Sequence, residues 1–216
     1  MRMPKIMFNE RYGLETSVLK GIKTVTRRIC SVQPPYERNE IAFPVFAGDG
    51  EDSPLYGAFC WVNKDNPKEL TKWCRTPYKW DDVVAIAQCY NDIPNIYSLV
   101  SIDELPLKSA GWRNKMFVKA KYMPNRIKIN KVDIQRLQDI SDEDCLKEGI
   151  RRYTKDGTVF KYDLADGFEM FCWKDMPRSP REAFAALIDK ISGKGTWDKN
   201  PYVWRYEFEL VKSEQS

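Results

Sequence analysis

Apolar and polar residues alternate over several short stretches of this chain, which predicts a mainly β protein. Seven segments show the alternation or a buried-strand run: 5–8, 23–29, 59–62, 83–90, 116–121, 126–138 and 202–211. The alternation slips at Lys131–Val132, which indicates a bulge or a turn within that strand.

Three short segments carry helix signals. Their expected first and last capping residues are Asn9 and Gly21, Ser141 and Gly149, and Ser179 and Gly193. The third also has Pro180 at its first position and Glu182 three residues after the cap. Because helices and strands do not alternate regularly, we predict an α+β, mainly β fold: a small barrel of about six strands with short helices on its rim.

The chain of 216 residues is predicted to form one domain, 1–216, which is long enough to bury a full core. Three segments poor in periodicity are predicted to be long loop insertions: 31–78, 91–114 and 151–177.

Composition narrows the class of protein. The apolar fraction of 43% and the aromatic fraction of 13% are typical of a folded protein. A net charge of +4 permits binding to nucleic acid without demanding it. No apolar run approaches the ~18 residues that span a bilayer, so we expect a cytoplasmic protein with no membrane partner.

The chain has six cysteines and no histidine, and no two cysteines form a CxxC pair. We therefore expect no metal site and no cofactor. The lack of histidine excludes a Ser-His-Asp triad, a Cys-His dyad and a histidine-ligated zinc deaminase. An enzyme built on this chain needs another base.

The segment Gly21–Arg28 (GIKTVTRR) concentrates the candidate chemistry. It places one ammonium, two hydroxyls and two guanidinium groups within six residues, a set that suits an anionic or carbonyl-bearing ligand. If 23–29 is a strand, Thr24, Thr26 and Arg28 share one face and Lys23 stands at the strand entrance.

Four blocks of sequence, in this order, resemble the ASCH domain family, whose members have a PUA-like β-barrel, and the last block is similar to its phage and prophage-type members. Gly21–Arg28 resembles the G-x-K-x-x-[ET]-x-R signature. The other three blocks are Lys79–Tyr90, Leu137–Ile150 and Asn200–Leu210. Trp80-Asp81-Asp82 stands where the family has a Gly-Asp turn.

The resemblance implies an RNA- or nucleotide-binding protein with a basic pocket, and the sequence leaves its oligomeric state open. The ligand-binding residues that we expect are Gly21, Lys23, Thr24, Arg28 and Gln88.

An alternative that the resemblance also implies is an amidohydrolase acting on N4-acetylcytidine-like nucleosides. Its catalytic residues would be Lys23, Thr26 and Glu148. Burial beside Arg28 would depress the pKa of Lys23 and favour a role as base. Ribonuclease activity, a third possibility in the family, is less favoured because no histidine is present.

Aromatic residues in the loop-like regions allow a further interpretation. These rings either stack on RNA bases or pack the insertions onto the barrel. They are Trp61, Trp73, Tyr78, Trp80, Trp112, Trp173 and Trp197.

Overall fold

The computed structural model describes residues 3–34, 42–46, 58–69, 71–93, 95–99, 110–165 and 167–211. They form a mixed α+β fold, mainly sheet. Its largest sheet has five strands in the order β1-β6-β7-β10-β2. The strands are β1 (Lys5–Ile6), β2 (Val25–Ile29), β6 (Val83–Ile86), β7 (Arg126–Arg136) and β10 (Tyr202–Val211).

The long strands β7 and β10 form the centre of this sheet. β10 pairs antiparallel with β7 on one side and with β2 on the other, so that Tyr206 lies opposite Thr26. The register between β7 and β10 shifts where Phe208 pairs with Ile129 and Asn130 is skipped. The predicted irregularity is therefore a bulge, one residue earlier than the alternation indicated.

Two smaller sheets lie in segments that were predicted to be loops. β3 (Ala42–Phe46), β4 (Ala58–Asn63) and β5 (Cys74–Arg75) form one, and β8 (Ile150–Thr154) and β9 (Phe160–Leu164) form a hairpin. The strand expected at 59–62 is confirmed, whereas the loop prediction for 151–177 was wrong. The β8–β9 hairpin was missed because its outer face carries charged residues in place of a clear alternation.

The helices are α1 (Leu14–Leu19), α2 (Ile96–Leu99), α3 (Asp142–Lys147), α4 (Pro180–Ser192) and α5 (Thr196–Lys199). The three predicted helices end within two residues of their expected glycines, whereas α2 and α5 were not predicted and α2 lies in the segment 91–114 that was predicted to be a loop. The hydroxyls of Ser141 and Ser179 accept hydrogen bonds from the third amide of α3 and α4, as expected. Asn9 instead caps a turn before α1, accepting from the amide of Tyr12 at 3.3 Å.

The strand predicted at 116–121 is absent, and residues 115–117 and 120–122 form single 3₁₀ turns. The ammonium of Lys5 explains the difference, because it gathers the carbonyls of Lys115, Met116 and Val118 around one point. An extended chain would point successive carbonyls to opposite sides. β1 and β7 also occupy both edges of β6, the nearest strand.

The core lies between the main sheet and α4, whose buried positions recur at helical spacing in Ala183, Phe184, Leu187 and Ile188. The insertion sheet joins the same core. The ring of Phe59 on β4 packs edge-on against Trp204 of β10 at 4.9 Å between centroids.

β1 and β2 form the two edges of the main sheet, and no backbone pairing joins them among the described residues. A side chain connects these edges: the Arg28 guanidinium on β2 donates a hydrogen bond to the carbonyl of Met7, just after β1. Within the described ranges, no helix is long and apolar enough to cross a membrane.

Candidate functional site

The motif strand β2 forms one wall of an open pocket with a volume of about 770 Å³. Lys23, Thr26, Arg27 and Arg28 line it together with Glu148, which follows α3. An apolar part of the lining comes from α4: Phe184, Leu187, Ile188 and Ile191. The pocket therefore offers hydrogen-bonding groups from β2 and an apolar lining from α4, of which Ile191 is the exposed part.

Lys23 is buried at the entrance to β2, with 2% of its surface exposed. Its ammonium donates to the carbonyl of Val25 at 2.8 Å and to that of Glu148 at 3.0 Å, and it forms a short ion pair with the Glu148 carboxylate. All three N–H groups of the ammonium thus have acceptors. Burial lowers the pKa of Lys23, Glu148 opposes that shift, and Arg28 and Arg27 add to it.

Glu148 is buried at the C-terminal cap of α3, where an acidic residue has no favourable interaction with the helix dipole. Its side chain is held instead by two cations. One carboxylate oxygen pairs with Lys23 and the other accepts from Arg27 at 3.1 Å. Gly149, at φ 105°, turns the chain directly after it into β8.

A second carboxylate completes this buried network. Asp144 in α3 accepts from Arg27 at 2.5 Å and from Arg205 of β10 at 2.7 Å. Burial works to raise the pKa of Asp144, but the hydrogen bonds from Arg205 and Arg27 outweigh it and lower that pKa to about 2. The network fixes α3, and hence Glu148, against the main sheet.

Thr26 differs from its charged neighbours because its hydroxyl has no hydrogen-bond partner in the described part of the chain. The side chain is only 4% exposed and lies in the pocket wall. A buried hydroxyl without a partner costs free energy. It is therefore a group that a ligand can satisfy, or one that is able to react.

Arg28 lies in the same wall and forms no ion pair with any described carboxylate. One guanidinium nitrogen donates to the Met7 carbonyl, and the group lies over the ring of Phe8 at 5.7 Å from its centroid. Burial lowers the pKa of Arg28, yet a guanidinium stays protonated in proteins. Its remaining donors are available to an anion or a carbonyl group.

Three other predicted ligand-binding residues lie outside this lining. Gly21 is exposed in a left-handed turn after α1, at φ 70°. Thr24 links the start of β2 to the end of α3, because its amide donates to the Lys147 carbonyl at 2.9 Å. Gln88 is buried beyond β6, where its carbonyl oxygen accepts from the side-chain amide of Asn125 at 3.0 Å.

The turn that departs from the family pattern keeps a glycine-like backbone. Asp81 adopts φ 68°, and its amide donates to the carbonyl of Ile129 at 2.8 Å. The Asp82 carboxylate accepts from the amide of Lys79 at 2.7 Å. Aspartate tolerates the left-handed region better than most residues, so the turn into β6 forms without glycine.

Most of the described aromatic residues in the former loop regions pack within the protein. Trp61 is buried against Tyr202, and Trp197 packs edge-on to Phe184. Tyr78 donates to the carbonyl of Lys5 at 2.9 Å. Trp80, by contrast, is 59% exposed, so the packing interpretation fails for this residue.

Sequence reasoning missed the roles of Arg27, Asp144 and Arg205. The paired arginines at the end of the motif and the acids at the start of α3 were visible in the sequence. Their contact was not, because it joins residues more than a hundred positions apart in the chain. The α4 part of the lining was missed because its apolar face predicts only core packing.

Among the described residues, no group of three or more cysteine or acidic side chains is arranged to hold a metal ion. Comparisons with protein-family models, with curated proteins and with solved structures each found no match for this chain.

Proposed function

We propose that the pocket binds a nucleotide or a nucleotide unit of RNA, with Arg28 engaging a phosphate and Thr26 hydrogen-bonding the base or sugar. The observation that carries this proposal is the state of Arg28: a guanidinium in a pocket wall without a carboxylate partner among the described residues. Arginine suits phosphate because its planar donors match two phosphate oxygens.

The charge around the pocket supports an anionic ligand. Five cations contribute to its lining and only two carboxylates do, and Glu148 is already occupied by two of those cations. The cations are Arg11, Lys23, Arg27, Arg28 and Lys115. The apolar lining from α4 adds a nonpolar contact for the ligand, chiefly through Ile191, its most exposed side chain.

We further propose that the chain belongs to the ASCH family and that its five-stranded sheet is the core of a PUA-like barrel. The motif lies on β2 directly after α1 and its glycine turn, and Glu148 follows the short acidic helix α3. The contact from Arg28 to Met7, which links the two edge strands, supports closure of the sheet at this point.

Calorimetric titration with cytidine 5′-monophosphate and with cytidine tests the binding proposal. The nucleotide is expected to bind more tightly than the nucleoside, and Arg28→Met to remove that preference. Loss of one charged hydrogen bond corresponds to roughly 1.5–3 kcal/mol, or about a 10- to 100-fold weaker affinity.

Arg151→Met is the matched control, because Arg151 is exposed on β8 and lies outside the pocket lining. Its affinity for the nucleotide is expected to equal that of the wild type. Equal affinities for nucleotide and nucleoside, or an Arg28→Met protein that binds both like the wild type, would overturn the proposal.

A second function, hydrolysis of an N4-acylated cytidine, is favoured by one specific observation. Lys23, Thr26 and Glu148 line the same pocket, although Glu148 lies 125 residues after Lys23 in the sequence. The ion pair places the Lys23 ammonium in contact with the Glu148 carboxylate, and we propose that a proton passes between them during the reaction. That transfer would create a neutral amine as base and a carboxylic acid as proton donor.

The reaction then balances within these three groups. The Thr26 hydroxyl attacks the acyl carbonyl and passes its proton to Lys23, while Glu148 gives its proton to the departing amine. Water next cleaves the acyl-threonine ester, releases the carboxylic acid and regenerates the hydroxyl. Binding without turnover remains the better supported function, because all three N–H groups of Lys23 are engaged and stabilise the ammonium form.

Release of cytidine from N4-acetylcytidine, followed by chromatography, separates the two functions. If the protein is a hydrolase, Thr26→Val abolishes release while the folded state persists, since the hydroxyl has no partner to lose among the described residues. This mechanism is excluded if Thr26→Val releases cytidine at the wild-type rate, or if the wild type releases no cytidine.

A further inference from the structure

Residues 110–132 are strongly basic. They contain seven cationic residues and no carboxylate, although the whole chain is nearly balanced at 35 basic and 31 acidic residues. The cations are Arg113, Lys115, Lys119, Lys121, Arg126, Lys128 and Lys131. Lys115, Lys128 and Lys131 pair with carboxylates outside this segment, so only part of its charge is left to attract a polyanion.

The part at 113–119, here named the basic strap, is held rigidly against β1. The ammonium of Lys5 binds the carbonyls of Lys115 and Val118 at 3.1 and 3.0 Å. The side chain of Asn114 accepts from the amide of Met116 at 3.0 Å and caps the turn that follows. The strap therefore presents its outward side chains from a fixed backbone.

Two large apolar side chains project from the basic strap into solvent. Met116 is 60% exposed and Phe117 is 62% exposed, whereas the next residue, Val118, is buried. The cations on either side of them, Arg113 and Lys119, are exposed and form no ion pair with a described residue. An exposed ring between cations that have no carboxylate partner in the described ranges matches the alternation of bases and phosphates in a single strand.

The basic strap is continuous with the pocket. Lys115 lines the pocket, and its ammonium donates to the Phe8 carbonyl at 2.7 Å and to Glu10 at 2.6 Å. Met7 also lines the pocket and is 41% exposed. A chain whose terminal unit enters the pocket thus has a path onto the strap.

We propose that the basic strap binds the nucleotides of a single-stranded RNA that flank the one in the pocket. Phe117 stacks on a base, while Arg113 and Lys119 contact phosphates. This inference rests on the proposed function, since it assumes that the pocket accepts a nucleotide unit. RNA is the favoured polyanion because its unpaired segments expose base faces for stacking, which a duplex does not.

Fluorescence anisotropy with a labelled single-stranded RNA of about 12 nucleotides, within the length that one such site covers, tests the proposal. The wild-type protein is expected to bind this RNA at least tenfold more tightly than cytidine 5′-monophosphate. Phe117→Ala should weaken RNA binding by about tenfold, the lower part of the range for one lost base stack, and leave the mononucleotide unaffected. Phe117→Trp should restore it.

A charge-reversed Lys119→Glu protein probes the phosphate contact. We expect weaker RNA binding and a shallower dependence on salt, by about 0.7 in the logarithmic slope for each lost contact to a single strand. Phe160→Ala and Arg151→Glu are the controls, because both residues are exposed on the β8–β9 hairpin. They are expected to retain wild-type affinity for RNA.

Failure of this inference is distinguishable from failure of the proposed function. If Phe117→Ala and Lys119→Glu bind RNA with wild-type affinity, the basic strap is not the RNA-binding surface. The same conclusion follows if the hairpin controls lower the affinity for RNA by an equal factor. Tighter binding of DNA of the same sequence or of duplex RNA would also overturn it. Failure of cytidine 5′-monophosphate to bind the wild type, by contrast, would contradict the pocket assignment.

Discussion

The cations in the pocket wall fall into two sets that differ in their partners. Lys23 and Arg27 are buried and neutralised by Glu148 and Asp144, which also tie α3 to the main sheet. Arg28, the next residue along β2, forms no ion pair with a described carboxylate. Neighbouring residues of one motif thus differ in their pairing: the first set holds the site together, and Arg28 is the cation that we propose faces the ligand.

The contrast shows why a cluster of conspicuous polar residues is not uniformly functional. A buried charge needs a partner in the protein, since an unpaired one is strongly destabilising. Arg28 is only half-buried, so water can reach its guanidinium when the pocket is empty and a ligand can replace that water. The pairing pattern therefore separates the structural cations of this six-residue segment from Arg28, the one that we propose binds the ligand.

The largest effect is expected from Glu148→Gln, which leaves Lys23 and Arg27 buried without their shared carboxylate. Breaking a buried ion pair from one side costs about 3–5 kcal/mol in the free energy of unfolding. Urea denaturation of the variant and the wild type measures this loss of stability. Glu143→Gln, on the same helix but with its carboxylate largely exposed, is the control and should cost less than about 1 kcal/mol. Equal losses in the two variants would contradict the structural role of Glu148.

Asp144→Asn should have the next largest effect and lower the free energy of unfolding by roughly 2 kcal/mol. The loss is smaller than for Glu148→Gln because Asp144 is less deeply buried than Glu148. The pH dependence has a definite sign. The pKa of Asp144 is lowered from 3.8 to about 2, so its stabilisation is complete above pH 4 and is lost as the pH falls towards 2.

Thermal unfolding of the wild type and of Asp144→Asn between pH 6 and pH 2 measures this contribution, and the variant should lose less stability in acid. Asp142→Asn serves as the control, since Asp142 is exposed in the first turn of α3. If the stability of Asp144→Asn falls in acid as steeply as that of the wild type, the ion pairs of Asp144 with Arg27 and Arg205 contribute nothing to stability.

Arg28→Met should have a smaller effect on folding, about 1 kcal/mol, because it removes one hydrogen bond to a carbonyl and no ion pair. The comparison with Arg27→Met is the sharper measurement. Arg27 bridges two carboxylates, so its loss should reduce the unfolding free energy at least twice as much. If Arg28→Met is the more destabilising of the two, the division between structural and ligand-facing cations is wrong.

Thr26→Val should have the smallest effect on stability, and of opposite sign. Valine keeps the shape of threonine and removes a buried hydroxyl that has no described partner. We expect a gain of about 0.5 kcal/mol in the free energy of unfolding, together with weaker binding of cytidine. A marked loss of stability would mean that the hydroxyl has a structural hydrogen bond.

Sequence alone predicted the parts of the fold that local rules determine. The caps at Ser141 and Ser179 and the alternation along β10 depend on neighbouring residues, and the structure follows them. The strand expected at 116–121 failed for the opposite reason. A distant lysine, Lys5, reorganises the backbone there, and no local pattern records it.

The membership of the candidate site was predictable only in part, because Gly21, Thr24 and Gln88 lie outside the pocket lining, and its arrangement was not predictable. The resemblance led to Lys23, Thr26 and Glu148, and the three do line one pocket. The motif did not reveal that Lys23 would be fully hydrogen-bonded while Thr26 would have no partner. That distinction depends on which carboxylates α3 brings to β2, a matter of tertiary packing.

A crystal structure of the protein with bound cytidine 5′-monophosphate tests the central claim most directly. We predict a phosphate oxygen within about 3 Å of the Arg28 guanidinium and a ligand group hydrogen-bonded to Thr26, with the Lys23–Glu148 pair unchanged. A phosphate bound away from Arg28, or a ligand that enters the pocket only by breaking the Lys23–Glu148 pair, would contradict it.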